Sequence, residues 1–98
     1  MKPLNLQFVD AFALSVKHPE TFEVPSFEDL NSIEPGDCVK VCLDQPGHGG
    51  ERFWCSVKEV DVASRTIIGE VDNNLVNYNY PVGTKVEIKF NHIYQIMK

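Results

Sequence analysis

The sequence has no long uncharged apolar run, and its most apolar early stretch, Phe8 to Val16, is interrupted by Asp10 and Ser15. Nothing in it reads as a secretory signal. Its cysteines number three, an odd count that argues against a disulfide framework and for reduced thiols. The expectation is a cytoplasmic protein with no membrane partner. A basic excess is also lacking. The formal net charge is -5, and residues 1 to 50 hold eight Asp or Glu against three Lys, whereas residues 51 to 98 hold six acidic and six basic side chains. Glu20 to Asp37 alone carries six acidic residues and no basic one. Such a face repels phosphate backbones, whose binding rests on Lys and Arg, so nucleic acid is an unlikely partner. An acidic stretch of this kind is ordinarily a solvated surface; its functional reading is a docking face for a basic protein.

Signatures of chemistry are equally scarce. The Gly-rich segment Gln45 to Gly50 lacks the Lys and Ser or Thr that complete a phosphate loop. Cys38, Cys42, Cys55 and His48 invite a zinc reading, but four residues of extended strand separate Cys38 from Cys42 by about 13 Å. Ligands of one tetrahedral zinc lie within roughly 4 Å of each other. No metal and no cofactor is expected. His18, His48 and His92 fall on a helix end, a loop and a closing turn, with no motif joining any of them to a nucleophile, so the chain is not expected to be an enzyme. Asp61, Glu70 and Asp72 are accounted for as strand ends and turns.

What is present is a β pattern centred on Glu51 to Asn73, two antiparallel strands joined by a polar turn. Phe53, Cys55 and Val57 fall on one face, with Trp54, Ser56 and Lys58 on the other. Val60 and Val62 are out of phase with Val57, which implies either a bulge near Lys58 and Glu59 or a strand end covered on both faces. Thr66 to Val71 is rich in β-branched residues, and Gly69 in its middle implies a bend or close backbone contact. Asp37 to Leu43 alternates with Val39, Val41 and Leu43 on one side, and Thr84 to Phe90 with Val86, Ile88 and Phe90. Between these strands, Gln45 to Gly50 reads as a mobile loop. Asp72 to Gly83 reads as a polar connection with four Asn and two Tyr, including a short irregular strand at Leu75 to Tyr78. Asn91 to Met97 reads as a helical turn running into a last short strand.

Ahead of the sheet, Asn5 to Lys17 has the apolar spacing of a short amphipathic helix, and Thr21 to Val24 looks extended. Ser26 with Asp29 marks the start of a helical turn over Phe27 to Ser32, and Pro35, Gly36 and Asp37 form the turn that launches the sheet. With 98 residues and 43% hydrophobic content there is room for one domain: a helical and extended segment, 1–34, packed on strands spanning 35–98. The fold expected is mainly β (α+β), a small, partly open antiparallel barrel of the SH3-like kind.

From His18 onward the Gly36-Asp37 turn, the Glu51-Arg52-Phe53-Trp54 strand, the Gly69 to Asn73 strand end and the closing Gly83 to Val86 strand with His92-Ile93 resemble the YegJ-like family of small bacterial proteins of unknown function. Cys55, where that family usually has an aliphatic residue, and a longer Asp44 to Gly50 loop depart from it. The resemblance implies no activity. The chain is also similar to immunity-type proteins of bacterial toxin systems, which adopt compact acidic folds.

Recognition is what remains. If Phe53 faces the core, Trp54 faces outward, where an exposed indole is less easily dismissed than an exposed Leu. Ile68, Asn73, Asn74, Tyr78 and Tyr80 are its expected neighbours. The bland expectation is that the N-terminal helix covers Trp54 through Phe8 and Phe12, because an apolar patch of that size rarely stays bare. The functional one is a non-catalytic protein-interaction module, with a small barrel that stacks single-stranded nucleic acid on its aromatics as the alternative. The oligomeric state is not readable from the sequence.

Overall fold

The computed structural model describes residues 2–98. One five-stranded antiparallel sheet is built from β1 (Cys38–Gln45), β2 (Gly49–Asp61), β3 (Thr66–Val71), β4 (Lys85–Lys89) and β5 (Gln95–Met97), in the order β4-β3-β2-β1-β5. Two short helices, α1 (Ala11–Lys17) and α2 (Phe27–Asn31), precede it, and a 3-10 turn at Phe90–His92 links β4 to β5.

β2 serves two partners with different halves of its length: Gly49 to Ser56 pairs with β1 and Cys55 to Asp61 with β3. The register slips between Val57 and Glu59, so of the two alternatives the bulge is the one present. Ahead of the slip Phe53, Cys55 and Val57 face the core; beyond it Val60 packs against the same core. One extra residue therefore keeps the apolar set inward while the strand turns. Val39, Val41 and Leu43 of β1, Ile67 and Val71 of β3 and Val86 and Ile88 of β4 complete the interior. Gly69 sits where a side chain has no room: an added Cβ would lie 3.2 Å from the Cys55 Cβ and 3.3 Å from the Ser56 carbonyl oxygen.

The first thirty-odd residues complete this core. Phe8, Leu30 and Ile33 are buried in it. The helix expected from Asn5 starts only at Ala11, because Asp10 caps it by accepting the Ala13 N–H and the residues before it lie along sheet edges instead. Leu4 pairs in parallel with Val86 and exchanges backbone hydrogen bonds with Lys85 and Glu87, covering the edge of β4. Phe8 bridges Leu43, and the Val9 N–H donates to the Cys42 carbonyl, covering part of the β1 edge. Ser26 caps α2 as anticipated by accepting the Asp29 N–H.

Two loop expectations need correcting. Gln45 to Gly50 is a hairpin turn and not an irregular loop: Gln45 pairs with Gly49, and the turn between them is closed by a hydrogen bond from His48 N–H to Gln45 C=O. Pro46 followed by Gly47 at φ 83° suits a tight turn that needs a left-handed third residue. Leu75 to Tyr78 forms no strand, since Glu51 takes up its Val76 and Asn77 amides. Among the described residues no helix is long and apolar enough to cross a membrane.

Replacing Gly69 by Ala should cost about 1–3 kcal/mol in denaturant unfolding, the usual range for overpacking an already filled site. A cost below the error of the titration would show that β2 gives way freely at this point. Acid dependence follows from two groups. Burial lowers the His92 pKa below its ordinary 6.5, outweighing the nearby Asp10, and the Asp37 carboxylate is held below 3.8, first by the Glu34 N–H and then by Lys98. Each therefore contributes stability above its unfolded pKa that is lost as pH falls. Thermal unfolding should weaken first just below pH 6.5 and again below about pH 3.8, and His92→Gln should remove the first step only.

Candidate functional site

Trp54 lies on the face of β2 away from the core, half-buried, with Lys40 of β1 directly opposite it across the strand pair. The Lys40 Nζ stands 5.6 Å from the indole centroid. The expected cover is absent: Phe8 packs inside against Phe53 and His92, and Phe12 stacks on Phe27 at the helix pair. Phe8 precedes α1 instead of riding on it, so the pair of aromatics that periodicity placed on one stripe separates.

The residues expected to gather around Trp54 go to three places. Asn73 does meet it, but through backbone: its Oδ1 accepts the Trp54 N–H at 2.6 Å while the Asp72 N–H donates to the Trp54 carbonyl. The side-chain amide thus continues the ladder where β3 has ended. Asn74 is exposed next to it. Ile68 lies beyond the bulge, opposite Glu59 and Glu87, and is not a cross-strand neighbour of Trp54. Tyr78 is buried at the far end of the β1–β2 hairpin, where its hydroxyl accepts the Gln45 N–H and donates to the Gly49 carbonyl, both at 2.8 Å. Its ring is stacked on His48 at 5.2 Å and on Tyr80 at 6.4 Å. Tyr78 and Glu51 together fasten the Asn and Tyr loop to the hairpin, so these residues carry a structural duty.

Residues that periodicity did not single out complete the outer face. Tyr94, in the connection before β5, is buried with Ala11 and Cys42 in a second small apolar cluster, against Val9, Phe22 and Val24. The Arg52 guanidinium lies over its ring at 5.0 Å. Burial pushes the Tyr94 phenol up to about 12, reinforced by Cys42, so it stays a neutral platform for the cation. Lys40, Arg52, Tyr94 and Gln95 line a groove of about 530 Å³ whose other wall is the extended segment Thr21 to Pro25 with Asp29. Lys98 also reaches it, but its Nζ is already bonded to Asp37 at 3.0 Å and to the Ser32 carbonyl. Neither Lys40 nor Arg52 has an ion-pair partner among the described residues. The sign that could have pointed here was the placement of Lys40 and Arg52 on the Trp54 side of two paired strands; Tyr94 needed the tertiary fold.

Two of the three thiols are buried, and Cys38 is part-exposed. Cys55 is fully buried, which raises its pKa to about 12, and the Cys42 Sγ sits in the second cluster donating to the Leu43 carbonyl. His48 and His92 bond to backbone groups. Among the described residues no group of three or more His, Cys, Asp or Glu stands close enough to hold a metal ion.

Because the Tyr78 hydroxyl both donates and accepts, Tyr78→Phe strands the Gln45 N–H and the Gly49 carbonyl and should cost about 1–3 kcal/mol. Hydrogen exchange should locate the loss: the Gln45 amide loses protection while the β2–β3 amides keep theirs, and uniform loss would contradict a local latch.

Comparison with family models, curated proteins and solved structures finds no match, so the reading of this face rests on its own geometry and chemistry.

Proposed function

We propose that the chain is a non-catalytic protein-interaction module on a small, partly open barrel of the SH3-like kind, binding its partner with the outer face of β1 and β2. The observation that carries this reading is the pairing of two unneutralised cations with two aromatics on that face, Lys40 on Trp54 and Arg52 on Tyr94, beside an open groove. Aromatic residues and Arg dominate the energetics of protein interfaces, where rigid rings supply area at low entropic cost. The partly open barrel is supported by the N-terminal arm, which joins Leu4 to the end strand β4 and Phe8 to the part of β1 that β5 leaves unpaired.

Membership in a YegJ-like family fits this reading without adding a reaction, since the motifs behind that resemblance do structural work. Gly36 takes φ 98° in the turn before β1, Glu51 holds the Val76 and Asn77 amides, and Asn73 extends the ladder at Trp54. A toxin-immunity role would be one biological setting for such a module.

The same aromatics and cations favour a second reading, a binder of single-stranded nucleic acid. Charge opposes it, because Glu23 and Asp29 stand at the groove and the chain is net acidic. Affinity capture with the intact chain, followed by reconstitution with the purified partner, tests the first. Trp54→Ala and Arg52→Glu should each weaken the reconstituted complex about ten-fold while the variants stay folded by circular dichroism. A complex indifferent to both variants would remove the outer face from the reading. Submicromolar, salt-sensitive binding of mixed oligonucleotides would replace it with the second.

A further inference from the structure

Among the described residues the N-terminal arm covers part of the β4 edge and part of the β1 edge, whereas β5 has no strand on its outer side. Leu4 takes the outer edge of β4, and Val9 with Phe8 takes the C-terminal half of the β1 edge. The N-terminal half of β1 is paired by β5, which becomes the new edge. Its polarity follows from the ladder. The Val57 N–H donates to the Asp37 carbonyl, so by alternation Val39 and Val41 bond toward β2, while Cys38 and Lys40 bond toward β5. Lys40 and Cys38 face Gln95 and Met97, and the Tyr94 N–H also donates to Lys40 at 2.8 Å. That leaves the N–H and C=O of Ile96 pointing away from β1, and no backbone partner meets them among the described residues. Ile96 lines the groove already described, together with Gln95, Lys40 and Arg52.

We propose that this groove takes an extended acidic segment of a partner protein, which adds as a strand to β5 through Ile96 and presents a carboxylate to Lys40 and Arg52. The inference rests on the protein-interaction reading and names its partner class. An added strand pairs its backbone with Ile96 and lays alternate side chains on the outer face beside Gln95, in line with Lys40 and Trp54 on the next two strands, with Arg52 the next outward residue along β2. Exposed edges invite such addition unless they are blocked. The two cations lack carboxylate partners of their own, so an incoming Asp or Glu satisfies them without displacing anything. Glu23 and Asp29 on the far wall select against a polyanion, which would carry charge along its whole length, and accept a segment whose acid is confined to one side.

The probe is a phage-displayed library of random octapeptides panned on the intact chain, with the selected sequences then synthesised. The expected result is an Asp or Glu enriched at one position. Affinity should fall about ten-fold with Arg52→Glu and with Lys40→Gln, and equally when the peptide is N-methylated at the residue pairing with Ile96. The N-methylation arm uses the unaltered protein, so it stands even if a variant unfolds. Peptides that bind without acid enrichment, or insensitively to N-methylation, overturn the proposal while leaving a module that binds elsewhere. If no peptide is retained, the proposal also falls, and the wider reading is decided by its own reconstituted partner. Concentration-dependent dimers in sedimentation whose formation blocks the peptides would assign the edge to a second copy of this chain and overturn the proposal as well.

Discussion

Everything in this fold hangs on β2 having to serve two neighbours that lie along different parts of it. Only Cys55 and Ser56 are shared between the β1 and β3 ladders, so the strand crosses the core diagonally and its side chains must stay inward through a change of direction. The bulge after Val57 supplies that change. Without it Val60 would turn to solvent and the second half of the strand would lose its place in the core. Gly69 belongs to the same constraint, because β3 crosses so near Cys55 and Ser56 that a methyl group would collide.

The offset leaves backbone groups of β2 without a strand, and the loop after β3 meets them with side chains. Asn73 takes the Trp54 N–H, and the Glu51 carboxylate takes two amides, which is why an irregular segment can lie against a sheet edge with these three backbone amides paired. Tyr78 anchors the other end of that loop through its hydroxyl. The polar and aromatic richness of residues 72 to 83, which in sequence resembles a binding loop, is thereby largely spent on holding the loop in place.

Those same fastenings decide where a partner has room. With Tyr78 and Asn73 engaged internally, the groups left at the surface are Lys40 over Trp54, Arg52 over the buried Tyr94, and the edge of β5. They adjoin one another because β1 carries Lys40 between Trp54 on β2 and Gln95 on β5. An acidic chain thus carries a small cationic, aromatic surface that faces part of its acidic stretch, Glu23 and Asp29, across the groove. Net charge describes the average and hides such a patch.

The local rules of the chain were enough to place the strands, the strand glycine, the Ser26 cap and the outward side of Trp54, because each depends on side-chain period or on one residue's conformational range. They misjudged Asn5 to Val9, whose apolar spacing fits a helix equally well, and the Gln45 to Gly50 turn, whose glycines signalled an irregular loop where two of them in left-handed conformations close a hairpin. In both, the deciding partner lies far along the chain: Val86 and Leu43 for the arm, Tyr78 for the hairpin. The site divides the same way. Sequence alone determined that Trp54, Lys40 and Arg52 share a face, since alternation along two paired strands requires it. Only the tertiary structure put Tyr94 beneath Arg52, Asn73 on the Trp54 backbone and the free edge of β5 beside both cations, because those contacts join residues that no periodicity relates.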